Sequence, residues 1–305
     1  MRIGVDLGGS KIEVIALGSE GAELDRRRVA TPPADYAGTL RAIRDLVESV
    51  ESDLGERGTV GIGTPGAISP ASGLLKNSNS VCLNGQPIRR DLEALLDRPL
   101  RFANDADCFA LSEATDGAAR SAPVVLGVIL GTGVGGGIVV HGRIVHGPNA
   151  IAGEWGHNPL PAPEPGEWPG PPCYCGRTGC IETFLSGPGL ARDHAEATGE
   201  AIGAPEIASR AAAGVASAEA SLARYEERLA RALASVINVL DPHAIVLGGG
   251  MSNVGRLYES VPRLWARRVF SDRVDTRLVP PVHGDSSGVR GAAFLWPASR
   301  GTPEL

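Results

Sequence analysis

Three of the five cysteines, Cys173, Cys175 and Cys180, form a C-x-C-x4-C pattern, and His157 precedes them across a proline-rich stretch. Three thiolates and one imidazole make a closed tetrahedral zinc set, which leaves no position for a reacting ligand. Disulfides or free buried thiols are the alternative. The odd cysteine count, the closeness of Cys173 to Cys175 and the lack of a secretory signal weigh against disulfides. Pro161, Pro163, Pro165, Pro169, Pro171 and Pro172 exclude a helix or a central strand here. The segment therefore reads as an irregular loop that a metal would hold in one shape. Glu154 and Glu182 flank it, so a polar ligand is expected against it.

Other candidates lie at glycine-rich turns. Asp6 precedes Gly8-Gly9-Ser10-Lys11, between the apolar runs 2–7 and 12–17. Glycine amides at such a tip can approach an anion closely, and Asp6 could hold a cation directly or through water. An ordinary hairpin is the plain alternative. The arrangement recurs at 123–140, where an apolar strand leads into Gly131-Thr132-Gly133-Val134-Gly135-Gly136-Gly137 and a return strand at 138–140. We read the recurrence as an internal duplication, with two phosphate-type hairpins clamping one phosphate chain. The second tip is not a P-loop, which needs Gly-Lys-Ser/Thr before a helix. Asn104-Asp105 stands where a strand ends and a helix begins. Asp105 reads either as an N-cap or as a general base at the carboxyl end of a strand. Gly248-Gly249-Gly250 ends another strand, as a tight turn or as bare backbone that admits a nucleobase.

The elements expected to position these residues alternate in an α/β pattern. Strands are expected at 2–7, 12–17, 23–30, 59–63, 101–104, 123–130, 244–247 and 276–280. Helices are expected at 35–52, 91–96, 105–118, 218–240, 256–268 and 286–294, and residues 67–87 read as a polar loop. At 305 residues two domains are expected. A net charge of −6 gives no footprint for nucleic acid or a membrane surface. No apolar run is long enough to cross a bilayer, and no leader is seen, so a reduced, cytoplasmic protein is expected.

Taken in order, Asp-Leu-Gly-Gly-Ser-Lys (6–11), Gly-x-Pro-Gly (63–66), Asn-Asp-Ala (104–106), Gly-Thr-Gly-x-Gly-Gly-Gly (131–137), Glu-x-x-His (154–157), Cys-x-Cys-Gly-x-x-Gly-Cys-x-Glu (173–182) and Leu-Gly-Gly-Gly (247–250) closely resemble the ROK family of sugar kinases. Asn84-Gly85-Gln86-Pro87, Cys173-Tyr174-Cys175 and His283-Gly284-Asp285-Ser286-Ser287-Gly288 look most like its bacterial fructokinase branch.

The resemblance implies an actin-like ATPase (ribonuclease H-like) fold, with two α/β domains around a cleft and a zinc-stabilised loop. The first domain would span 1–118 and be completed by 286–305; the second would span 119–285, with the zinc loop at 153–182. It implies ATP, Mg²⁺ and structural Zn²⁺, a homodimer, and transfer of the γ-phosphoryl group to the 6-hydroxyl of a hexose. That hexose would be D-fructose, with mannose next; the alternatives are a glucokinase or an N-acetylhexosamine kinase on the same scaffold, or a non-catalytic sugar-binding regulator. Asp105 would be the base. Asn104, Glu154, His157 and Glu182 would bind the other hydroxyls, and His157 would join Cys173, Cys175 and Cys180 on zinc. Gly8, Gly9, Ser10, Lys11, Gly131, Thr132 and Gly133 would line the phosphates, Asp6 would help to hold Mg²⁺, and Gly248, Gly249 and Gly250 would face the nucleotide. Three departures stand out: Ser10 where threonine is usual, Asp107 where asparagine is commoner, and a longer run between His157 and Cys173. Family repressors carry an N-terminal helix-turn-helix, for which the hairpin starting at residue 2 leaves no room.

Overall fold

The computed structural model describes residues 1–78, 80–284 and 287–297, in two compact units. Unit one comprises Met1–Arg120, Gly142–Ala152 and His283–Leu305; unit two comprises Ser121–His141 and Gly153–Val282.

Unit one is built on a sheet in the order β3-β2-β1-β4-β7, from β1 (Arg2–Leu7), β2 (Lys11–Leu17), β3 (Glu23–Ala30), β4 (Thr59–Thr64) and β7 (Leu100–Asn104). β1 and β2 form an antiparallel hairpin that pairs Asp6 with Glu13 and Leu7 with Ile12. β4 runs parallel to β1, and β7 parallel to β4. The stretch expected to be loop contains a small ladder of β5 (Ala67–Ile68) with β6 (Leu75–Lys76). It is too short for any periodicity to announce.

One face of the sheet buries Ile3, Val5, Ile12 and Val14 with Ile43 and Val47 of α1 (Tyr36–Leu54) and Leu92 of α2 (Ile88–Leu96). Asp35 caps α1 by accepting from the Gly38 N–H at 2.8 Å, and Gly55 ends it in the left-handed region. The other face carries α3 (Asp105–Thr115) and α9 (Ser287–Phe294). Glycines set how closely these pack. A Cβ on Gly4 would lie 2.0 Å from the Val289 carbonyl, one on Gly61 1.9 Å from that of Ala292, and one on Gly291 1.7 Å from that of Cys108. The expected last helix therefore exists from Ser287. Ser286, Asp285 of the His-Gly-Asp-Ser-Ser-Gly run, and residues 298–305 lie outside the described residues.

Unit two carries β8 (Val124–Leu130), β9 (Val134–Val140), β11 (Ala244–Gly248) and β12 (Arg277–Val279), ordered β9-β8-β11-β12. β8 and β9 are antiparallel, while β11 is parallel to both β8 and β12. Leu126, Val128, Ile245 and Leu247 pack against Leu229 and Leu233 of α7 (Ala216–Leu240) and Trp265 of α8 (Leu257–Trp265). α7 ends at Asp241 in the left-handed region, ahead of Pro242. The short helix α4 (Ile181–Leu185) follows the cysteines, then α5 (Gly187–Thr198) and α6 (Ala204–Ala212). The return strand β9 begins at Val134 rather than Ile138, so three glycines expected at the tip are strand residues.

Candidate functional site

In unit one the candidate residues Asp6, Gly8 to Lys11, Asn104 and Asp105 lie where β1 turns into β2 and β7 turns into α3. Gly8 N–H donates to the Lys11 carbonyl at 2.9 Å, and Thr31 Oγ1 donates to the Gly8 carbonyl at 2.8 Å, which fixes the tip. Gly9 faces Ser80, whose Oγ lies 3.3 Å from where a Cβ would stand. Lys11 Nζ sits 3.8 Å from the carboxylate of Glu13, which is 1% exposed and also bridges Arg26 and Arg28. Burial, and after it the negative charges of Asp105 and Glu13, push the Asp6 carboxyl up to about 6. A carboxylate raised in this way beside a second acid gains from a cation, which offsets both the repulsion and the lost hydration.

The cap of α3 is Asn104. Its Oδ1 accepts from the Ala106 N–H at 2.9 Å, and its Nδ2 donates to the Gly66 carbonyl at 3.0 Å, tying the end of β7 to the turn after β4. Asp105 is the first helical residue, and its Oδ1 accepts from the same Ala106 N–H at 2.8 Å. The helix start therefore does not depend on the Asp105 carboxylate, although its partial positive charge favours an anion there. Asn84 accepts from Ser78 N–H at 2.9 Å and donates to the Ser78 carbonyl at 2.8 Å, closing the loop between them.

In unit two the tip is Gly131–Gly133, closed by Gly131 N–H donating to the Gly133 carbonyl at 3.0 Å and held from α5 by Gly187 N–H donating to Gly131 at 2.8 Å. Behind it, glycine serves close packing. Trp155 Nε1 donates to the Gly135 carbonyl at 3.0 Å, and a Cβ on Gly136 would lie 2.9 Å from the Trp155 ring. A cavity of about 980 Å³ opens beside the tip, lined among others by Gly131, Thr132, Pro188, Ala208, Gly250 and Val254. Its walls come from α5, α6 and the turn after β11. Of the three glycines ending β11, only Gly250 lines it. Gly248 is a strand residue, and Gly249, with φ +76°, lies against the Leu130 carbonyl, 2.5 Å from its would-be Cβ.

Glu154 starts the short turn Trp155–His157. Glu182 lies in α4, and its Oε2 accepts from the Val134 N–H at 2.9 Å. This hydrogen bond links the hairpin to the cysteine loop. The donor atoms of His157, Cys173, Cys175 and Cys180 all lie within 4.8 Å of one another. Cys175 and Cys180 sulfurs are 3.7 Å apart, and Cys173 Sγ is 3.6 Å from His157 Nδ1. Zn–S bonds of about 2.3 Å and a Zn–N bond of about 2.0–2.1 Å at tetrahedral angles give edges of about 3.8 Å and 3.5 Å, so the set fits zinc. None of the five cysteines is in a disulfide. The backbone N–H of Arg177 helps to draw the Cys175 thiol down to about 6, whereas burial pushes Cys180 up to about 12 and Cys173 upward. Three thiolates together therefore need a cation.

Sequence reasoning missed two features of this loop. Tyr174 Oη lies 3.0 Å from His157 Nε2. The proline-rich run is also anchored from beneath. Glu167, 8% exposed, takes Arg228 Nε at 2.8 Å and Arg231 Nη2 at 2.8 Å, and Arg231 also donates to the Ala162 carbonyl at 2.5 Å. The run meets the cysteine turn through Leu160 N–H to Gly179 O at 2.9 Å and Gly179 N–H to Pro171 O at 2.8 Å.

Two α/β units whose sheets each pair an antiparallel hairpin with parallel strands are the architecture of the actin-like ATPase fold. The chain belongs to the ROK family, whose model matches residues 2–299. It is 41% identical over 299 residues to an N-acetyl-D-glucosamine kinase of Yersinia pseudotuberculosis serotype O:1b (strain IP 31758), covering 97% of this chain and 98% of that one. The ROK hexokinase from Thermus thermophilus superposes with a TM-score of 0.86 at 32% identity, over 96% of each chain. A ROK family glucokinase from Streptomyces griseus, solved with glucose and AMPPNP, superposes at 0.77 with 28% identity, over 96% of this chain and 98% of that one. Among the described residues no helix is long and apolar enough to cross a membrane.

Proposed function

We propose that the chain is an ATP-dependent hexose 6-phosphotransferase acting on D-fructose, with mannose as a second substrate, and producing fructose 6-phosphate and ADP. The observation that carries the reading is the placing of Asp105 at the first turn of α3, with capping supplied by Asn104. In this reading Asp105 accepts the proton of the 6-hydroxyl as its oxygen attacks the γ-phosphorus. Phosphoryl transfer asks little more of a protein than alignment, charge neutralisation and one group to orient the nucleophile.

Asn104, Glu154, His157 and Glu182 bind the remaining hydroxyls, because fixed carboxylates, an amide and an imidazole each accept or donate at defined positions. The nucleoside of ATP occupies the cavity lined by Thr132 and Gly250, and a volume of about 980 Å³ accommodates it. Gly8 to Lys11 and Gly131 to Gly133 line the phosphates. Asp6 holds Mg²⁺, which supplies charge neutralisation on the phosphates when bound. His157, Cys173, Cys175 and Cys180 hold Zn²⁺, which supplies shape to the sugar wall and no open coordination site. The two units correspond in this reading to the two kinase lobes, and a homodimer is the expected assembly.

Fructose is supported by the Asn84-Gly85-Gln86-Pro87 and Cys173-Tyr174-Cys175 runs, both in loops that the structure ties down by hydrogen bonds. A second reading, N-acetyl-D-glucosamine as substrate, is favoured by the printed name of the 41% identical Yersinia relative. A coupled ADP-release assay with Mg²⁺ and fructose, mannose, glucose, allose, N-acetylmannosamine and N-acetylglucosamine separates them. Highest kcat/KM with fructose and mannose next supports the first reading. Highest kcat/KM with an N-acetyl sugar replaces it with the second.

A further inference from the structure

His157 has two ring nitrogens, and the structure gives each a different neighbour. Nδ1 faces Cys173 Sγ at 3.6 Å, inside the metal set. Nε2 faces Tyr174 Oη at 3.0 Å, with the two rings edge to face at 5.2 Å and 85°. A metal on Nδ1 leaves the ring proton on Nε2, so the imidazole has one N–H to give outward. In that tautomer the Tyr174 hydroxyl, 3.0 Å away, is its acceptor. The proposed function asks that same N–H to bind a sugar hydroxyl.

The tyrosine suits a temporary occupant. A phenol hydroxyl both donates and accepts, as a sugar hydroxyl does. Glu182, one of the carboxylates assigned to the sugar, stands close by, its Oε1 3.9 Å from the Sγ of the adjoining Cys173. The residue sits between two metal ligands, Cys173 and Cys175, so its backbone is pinned wherever the loop is pinned. Its side chain is 82% exposed, which leaves it room to swing away.

We propose that Tyr174 is a specificity-determining residue whose hydroxyl takes the place of a sugar hydroxyl on His157 in the free protein and is displaced when the hexose binds. The inference rests on the reading of His157, Glu154 and Glu182 as sugar ligands. Every sugar must then offer His157 at least as good an acceptor as the phenol. A sugar with no hydroxyl at that point leaves the tyrosine in place and the contact unmade.

Tyr174→Phe and Tyr174→Ala both remove the competitor, and both are tested by calorimetric titration of the zinc-loaded protein with the best hexose, without ATP, beside elemental analysis of zinc. The expected result is a Kd about 3- to 10-fold lower than wild type in both variants, the worth of one hydrogen bond, with wild-type zinc content. An unchanged or higher Kd at wild-type zinc content overturns the inference and leaves the sugar wall standing. A wild-type protein that binds no hexose overturns the reading beneath it as well. Loss of zinc from both variants also overturns the inference, because it makes the tyrosine a support of the metal loop.

Discussion

The two glycine hairpins share a topology and differ in what surrounds them. The β1–β2 tip is set among charges: Lys11 follows it, Glu13 lies buried behind it, and Asp6 is forced upward in pKa by burial and by Asp105. The β8–β9 tip stands beside the cavity, among backbone and mostly uncharged side chains, with the Glu182 carboxylate tied to Val134. One duplicated turn thus serves two physical tasks. The first hairpin holds acids whose mutual repulsion a cation would offset, while the second stands at the mouth of an open cavity. The glycines say only that backbone comes close; their neighbours decide what comes close to it.

The largest effect is expected beside the charged hairpin, at the start of α3. Asp105→Asn should lower kcat by about 10²–10⁴-fold with an unchanged melting temperature, because Asn104 still caps α3; near-wild-type turnover would remove Asp105 from the mechanism. Cys180→Ala should strip the metal and collapse hexose affinity, measured by elemental analysis and calorimetry, since Cys180 is 1% exposed and alanine offers no ligand atom. Full metal content in that variant would refute the site. Ala208→Phe, on the shape-dominated side, should raise the KM for ATP by about 10-fold, worth about 1.4 kcal/mol, while the hexose KM stays within about twofold. Equal effects on both would end the division of labour between the hairpins.

Asp6 gives the subtler test. Its folded pKa of about 6 stands above the ordinary 3.8, so protonation favours the folded state. Stability is therefore fully present below about pH 4 and is lost as pH rises through 6. In metal-free protein Asp6→Asn should relieve up to about 3 kcal/mol at pH 8 and nothing at pH 4, read from urea unfolding at the two values. Equal shifts at both would show that the carboxyl is not strained. Ser10→Thr, the smallest change, should leave kcat/KM within about twofold, because the hydroxyl is retained.

Much of the metal loop was legible because ligand chemistry is written in residue type and spacing. His157 and the three cysteines meet as their pattern implies. The duplication was legible too, since hydrophobic strands flanking glycine repeat across the chain. The cavity was not. Pro188 and Ala191 come from α5, Ala208 from α6 and Val254 from beyond β11, and all are ordinary residues that no motif singles out. Gly135–Gly137 misled for a related reason. Glycine signals close approach, and here it is Trp155 that approaches the strand. Nor could a sequence reveal that Glu167 would find Arg228 and Arg231 on α7, some sixty residues later.

The tight seat of α9 bears on the order in which the chain can be made. Gly4, Gly61 and Gly291 let the last helix lie against strands from the first sixty-odd residues and against α3. A chain leaving the ribosome has β1, β4 and α3 long before it has α9, and one face of its first sheet waits without its cover. Residues 153–282 are complete before that helix emerges. The second unit can thus close first, and the half that is synthesised earliest finishes folding last.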